Sequence, residues 1–153
     1  MMTRAYDELY LKDAMRNMGV MAHFCINEYG LAPTAFDAAF QKSHVSKQIA
    51  KGNPNYLVGH SGKELADMVI SEHGIERPVN EYYSVTPEYW AGWVLAYYQW
   101  YTAKDFEQIS AEGLTFDKIL CMYYPLHEAD LSKFVELAMH STQANAHSRS
   151  ITR

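Results

Sequence analysis

Apolar residues recur at three- and four-residue steps from the start of the chain: Leu11, Met15, Met18, Ala22, Cys25 and Tyr29. That period predicts one long helix over 6–29, closed by Gly30. Glu8, Lys12 and Arg16 fall at i, i+4 spacing on the opposite side and form a solvent-facing ladder. The methionine stripe Met15, Met18 and Met21 reads as core filling. Pro33-Thr34 opens a second helix carrying Phe36, Ala39 and Phe40, and Val45 and Ile49 extend or restart it. Lys51-Gly52-Asn53-Pro54-Asn55 is dense in turn formers and breaks the chain. Ser61 and Glu64 have the spacing of a capping box, ahead of a helix that buries Leu65, Met68 and Val69 and ends at Gly74. Residues 75–86 read as a connector holding Pro78, Asn80 and the Tyr82-Tyr83 pair.

Thr86-Pro87-Glu88 combines an N-cap, a first-turn proline and an acid at the positive end of a helix. The run that follows, 89–101, is apolar almost all round. Trp90, Trp93, Tyr97 and Trp100 form one stripe, and Val94, Tyr98 and Tyr101 a second. Gly92, Ala96 and Gln99 make a narrow seam where another backbone can approach. A helix of this kind is normally central. Two shorter helices are expected over 105–111 and 116–124, separated by Glu112-Gly113. A last one over 127–140 buries Leu131, Phe134, Val135 and Ala138. No strand pattern and no repeat appears. The expected fold is all-α, a single compact domain over 1–140 of six or seven helices around the aromatic one at about 87–102, followed by a flexible polar tail over 141–153.

Composition adds one unusual figure. Aromatic residues make up 14% of the 153, from Tyr 12, Phe 6 and Trp 3. The length suits one domain with its own core. Charge excludes more. The whole chain carries −5, and residues 1–140, with 11 basic and 18 acidic side chains, carry −7. A nucleic-acid binder must neutralise phosphates, so direct nucleic-acid binding is disfavoured, whereas a protein partner with a basic surface is favoured. Cys25 and Cys121 lie in apolar contexts with no CxxC motif, and both read as buried free thiols of a reducing cytoplasm. No signal-peptide pattern opens the chain, and no run approaches the ~20 apolar residues of a membrane span. A soluble, cytoplasmic protein with no cofactor and no metal is therefore expected.

Two motifs suggest chemistry. Gly59-His60-Ser61-Gly62 is a partial nucleophile elbow, but Lys63 stands where the final glycine belongs and no strand precedes it. Ser61 as an N-cap explains the same residues. His127-Glu128-Ala129-Asp130 starts like a zinc-protease helix, but Leu131 replaces the second histidine, and first-turn acids explain Glu128 and Asp130. The tyrosine pairs differ from the aromatic helix, because adjacent residues point in different directions and cannot all be buried. Tyr82, Tyr83, Tyr123 and Tyr124, with Glu128 and Asp130, are the candidate partner-binding residues.

The run Glu88-Tyr89-Trp90-Ala91-Gly92-Trp93-Val94-Leu95-Ala96-Tyr97-Tyr98-Gln99-Trp100-Tyr101 resembles the signature of a family of small uncharacterised proteins from gut Firmicutes. Tyr10-Leu11-Lys12-Asp13-Ala14-Met15, Gly52-Asn53-Pro54, Gly59-His60-Ser61-Gly62-Lys63-Glu64-Leu65 and Leu126-His127-Glu128-Ala129-Asp130 follow the same pattern, so the resemblance spans about 6 to 140. Many members of that family carry a C-terminal helix-turn-helix of the XRE regulator type, which is absent from these residues. The resemblance implies a bacterial regulatory or sensing module and brings no catalytic residue with it.

The expected function is thus a non-enzymatic interaction or regulatory module that binds a protein partner. One alternative is a small inhibitor of the antitoxin or anti-CRISPR type, whose acidic body blocks a basic nucleic-acid channel. Another is a small-molecule-binding domain or enzyme using the aromatic helix as a pocket wall, with Trp93, Tyr97, Tyr98, Trp100 and His127 as lining. Homodimerisation through that helix is a third.

Overall fold

In the computed structural model the chain is described over residues 3–72 and 86–151, with side chains over 3–72 and 86–142. It is all-α, and no strand occurs among the described residues. The first helical run matches the apolar period but changes pitch twice. Asp7 caps a 3-10 turn, Glu8–Tyr10, by accepting from the Leu9 N–H. Tyr6 therefore precedes the helix instead of opening it. Helix α1 is Leu11–His23, and it passes into a π-turn, Phe24–Glu28. Gly30 then stops the run in the left-handed region, φ +78°. Met15, Met18 and Met21 are buried in the core, as their spacing requires.

Beyond Gly30 the chain forms α2, Pro33–Lys42, and α3, His44–Ala50. They are separate helices because Ser43 is extended and its hydroxyl accepts from the Ser46 N–H, capping a new start. Asn53 caps the single turn α4, Pro54–Leu57. Helix α5, Gly62–Glu72, begins with the capping box: Glu64 N–H donates to Ser61 Oγ at 3.1 Å, and Ser61 N–H donates to Glu64 Oε1 at 3.2 Å. The aromatic helix is α6, Pro87–Thr102, capped by Thr86, whose hydroxyl accepts from the Tyr89 N–H.

The C-terminal third is α7, Phe106–Ala111; α8, Phe116–Cys121; α9, Tyr123–Leu126; and α10, Leu131–Ile151. One helix over 116–124 was expected, but the chain divides there. Pro125 has no N–H to give to the Cys121 carbonyl one turn back, and its ring crowds that carbonyl. The described residues accordingly hold ten α-helices instead of six or seven, the surplus being short, separately initiated turns. The last helix starts four residues later than expected and runs through the segment read as a tail. Residues 141–151 contain no glycine or proline to stop it. Ser141 Oγ accepts from Lys118 Nζ at 2.6 Å, and Thr142 is buried.

Helix α6 packs along α1 more extensively than any other two elements meet. The glycine seam permits it. A Cβ on Gly92 would lie 2.5 Å from the Met18 carbonyl oxygen, and one on Gly19 2.8 Å from that of Tyr89. Helix α5 meets α1 on another side, where Gly62 rests against Val20. A second aromatic cluster ties α2 to α7 and α8: Phe36 stands edge-on to Phe116 at 5.1 Å, and Phe40 edge-on to Phe106 at 4.9 Å.

Candidate functional site

The candidate partner-binding residues fall into two groups. Tyr82 and Tyr83 lie outside the described residues. Tyr123, Tyr124, Glu128 and Asp130 lie on α9 and the turn after it. Tyr123 is half-buried with its ring edge-on to Trp90 at 5.7 Å, which anchors it to α6. Its other face stacks on His127 at 4.3 Å, where the His127 Nδ1–H donates to the Tyr123 carbonyl at 2.8 Å. Tyr124 stands edge-on to Tyr123 and is 82% exposed. Glu128 is exposed beside His127, with its Oε1 3.9 Å from His127 Nε2. Asp130 is exposed and accepts from the Ser132 hydroxyl at 2.7 Å. The result is an aromatic knob, Tyr123-Tyr124-His127, bordered by two carboxylates.

The pocket candidates do not converge. Tyr98 is wholly buried near Phe134, and its hydroxyl has no hydrogen-bond partner among the described residues. Trp100 is buried too, with Nε1–H donating to the Tyr6 carbonyl at 2.8 Å. His127 belongs to the exposed knob. Trp93 and Tyr97 are half-buried on one edge of α6, in line with Tyr101. Of the five, Tyr97 borders a cleft, about 200 Å³ between α6 and α10, which Tyr101, Val135, Glu136 and Met139 also line. Burial raises the Tyr97 pKa, the neighbouring Tyr101 and the carboxylates of Asp130 and Glu8 add to that, and Arg4 opposes it. Arg4 sits over the Tyr101 ring at 4.0 Å and donates to the Tyr101 carbonyl at 3.1 Å. Sequence reasoning missed Arg4 and Tyr101, because they are 97 positions apart.

A larger cleft, about 580 Å³, opens elsewhere, between α1 and the start of α5. It is lined by Arg16, Asn17, Phe24, Val58, His60 and Lys63, among others. The His60 Nδ1–H donates to the Asn55 carbonyl at 2.6 Å, and the ring leans on Tyr56 with centroids 5.1 Å apart. Ser61 spends its oxygen on the Glu64 N–H, and no base hydrogen-bonds to it among the described residues. The glycine-flanked motif is therefore an N-cap and the rim of a cleft, without a nucleophile-base pair. The sequence signal was present at Gly59-His60-Ser61-Gly62-Lys63, but Arg16 and Asn17 reach it only through packing of α5 on α1.

The two cysteines differ. Cys25 is buried, and burial, with a smaller contribution from Asp67, pushes its thiol up to about 12. Cys121 was expected to be buried but is exposed at the last position of α8. No group of three or more His, Cys, Asp or Glu placed to hold a metal occurs among the described residues. No helix among them is long and apolar enough to cross a membrane. Comparison with family models, with curated proteins and with solved structures yields no match to this chain.

Proposed function

We propose that this chain is a non-enzymatic interaction module of the bacterial cytoplasm that binds a protein partner with a basic surface through the knob on α9. The observation that carries this reading is the exposure of Tyr124 beside the stacked Tyr123 and His127 rings. Large aromatic rings carry much contact area on few rotatable bonds and serve as interface anchors. Glu128 and Asp130 beside it, on a body of net −7 over residues 1–140, favour lysine- and arginine-bearing partners and speed their encounter. The resemblance to a family of uncharacterised proteins, many of them joined to a helix-turn-helix regulator, supports the same reading. If the partner is a nuclease, the chain acts as an inhibitor of the antitoxin or anti-CRISPR type, occupying a basic channel.

The test is capture at low salt with three baits: the unaltered chain, Tyr124→Ser and Glu128→Lys. Both substitutions are at exposed positions, and circular dichroism of each variant checks that the fold is retained. A protein with a basic surface that is retained by the first bait, released by salt and lost from both variants is the expected result. A set of bound proteins identical for all three baits overturns the reading.

A further inference from the structure

We propose that the cleft between α6 and α10 is a binding site for a small quaternary ammonium compound, independent of any protein partner of the knob on α9. The cleft, about 200 Å³, is lined by Tyr97, Tyr101, Ser132, Val135, Glu136 and Met139. It combines two aromatic rings, apolar side chains and a carboxylate, with no lysine or arginine in the lining among the described residues. Tyr97 and Tyr101 are half-buried one helical turn apart, their ring planes 22° from parallel and their centroids 6.3 Å apart. The face of an aromatic ring is its negative side, and a cation resting on it gains most where water is partly excluded.

Arg4 is a second, independent observation. Its guanidinium carbon lies 4.0 Å from the centroid of the Tyr101 ring and 5.3 Å from that of Trp100, and Nη1 donates to the Tyr101 carbonyl at 3.1 Å. Its partners are rings and a carbonyl, and among the described residues they include no carboxylate, on a chain of net −5. One cation is thus already held at this end of α6 by aromatic faces and backbone. Helix α6 ends at Thr102, so its negative pole adds to the attraction. Arg4 does not line the cleft, which leaves that stretch of the aromatic wall open. The carboxylates reinforce the sign: Glu136 is on the wall, and Asp130 and Glu8 are close enough to act on the Tyr97 hydroxyl, with Arg4 opposing them.

The lining selects the class of cation. A primary ammonium brings three N–H donors and a guanidinium five, and each one taken out of water needs an acceptor. Val135, which is buried, and Met139, which is half-buried, offer no strong acceptor, and neither does a ring face. A quaternary ammonium has no N–H to leave unpaired. Its charge is spread over methyl groups, which pack against rings and aliphatic side chains while Glu136 balances the charge from the rim. Aromatic walls are the recurring means by which such cations are recognised.

The experiment is titration of the full chain, with no protein partner present, followed by the methionine methyl resonances, Met139 being assigned by its loss in Met139→Leu. The probes are choline, its neutral isostere with a tert-butyl group in place of the trimethylammonium, and methylguanidinium. Choline is expected to shift the Met139 methyl saturably, the neutral isostere to leave it in place, and methylguanidinium to bind more weakly than choline. Tyr97→Leu and Glu136→Gln should each weaken choline by about fivefold, whereas Tyr97→Phe, which keeps the ring, should not. Arg4→Gln, which removes the opposing charge, should tighten it. Arg4 and Glu136 are exposed and Tyr97 is half-buried. Melting curves check that each variant folds, and the two exposed positions carry the test if Tyr97→Leu does not. No saturable shift with choline on the order of 10 mM, or one unchanged in Glu136→Gln and Arg4→Gln, overturns the proposal. An equal response to the neutral isostere overturns recognition of charge, and methylguanidinium binding as tightly as choline overturns the quaternary assignment.

Discussion

The carbonyl oxygen of Met18 faces the α-carbon of Gly92 so closely that a Cβ on Gly92 would lie 2.5 Å from it. Backbone, not a flexible side chain, occupies the space. Gly92→Ala therefore has to push α6 away from α1 along the most extensive contact in the molecule. Alanine favours helix by ~1 kcal/mol over glycine, but overpacking of this kind costs ~1–3 kcal/mol. The net expectation is a lower urea midpoint. Gly30→Ala is the control: nothing lies within 4 Å of its Cβ position, and the loss there comes only from φ +78°. A Gly92→Ala midpoint equal to or above that of the unaltered chain would show that α6 adjusts without loss.

Ser61→Ala removes the acceptor for the Glu64 N–H at the start of α5 and leaves the cleft otherwise lined as before. Loss of such a cap costs ~0.5–2 kcal/mol. Chemical denaturation should show that loss, and Ser61→Asp, which keeps a capping oxygen, should recover most of it. A stability unchanged in Ser61→Ala would remove the capping role from this serine.

These two sites show why parts of the chain were legible. Ser61 and Glu64, like Thr86-Pro87-Glu88, are local signals whose meaning is complete within one helical turn, and both start helices where expected. The Gly92 seam was legible because a small-residue stripe on an apolar helix has few uses. Other features depend on distant residues. Arg4 over Tyr101, and Arg16 with Asn17 at the cleft of His60, come together only when helices pack. The split at Met122 was missed because Pro125 acts on a carbonyl one turn before it. The division of the tyrosines was half visible: Tyr98 is core and Tyr124 is surface, but Tyr97 and Tyr101 occupy an edge that periodicity alone does not resolve.

The two thiols should react at very different rates. Cys121 is exposed, whereas Cys25 is buried with its pKa pushed up to about 12. A disulfide reagent at neutral pH should label one thiol promptly and the second only as the chain unfolds. The same shift has a pH consequence. The folded state raises the thiol above its ordinary 9.0, so the stability it contributes is complete below pH 9 and is lost as pH climbs toward about 12. Cys25→Ala should flatten part of that alkaline decline. Two thiols labelled at equal rates in the native chain would contradict the burial of Cys25.

Truncation after His140 separates a helix that belongs to the domain from a tail that does not. Two contacts lie just past that point: Lys118 Nζ donates to Ser141 Oγ at 2.6 Å, and Thr142 is buried with its hydroxyl donating to the Met139 carbonyl at 2.9 Å. Removing them leaves Lys118 without this acceptor, exposes what Thr142 covers and lets the last turn around Ala138 and Met139 fray. The combined expectation is a loss of ~1–2 kcal/mol, made up of one charge-assisted hydrogen bond and part of one buried side chain. A second truncation, after Thr142, retains both contacts and should recover most of that stability. Thermal melts of the two shortened chains beside the full one make the comparison. If both truncations melt together with the full chain, α10 contributes nothing past His140. If the first falls and the second does not, the domain extends through Thr142, where the packing of α10 against α8 is completed.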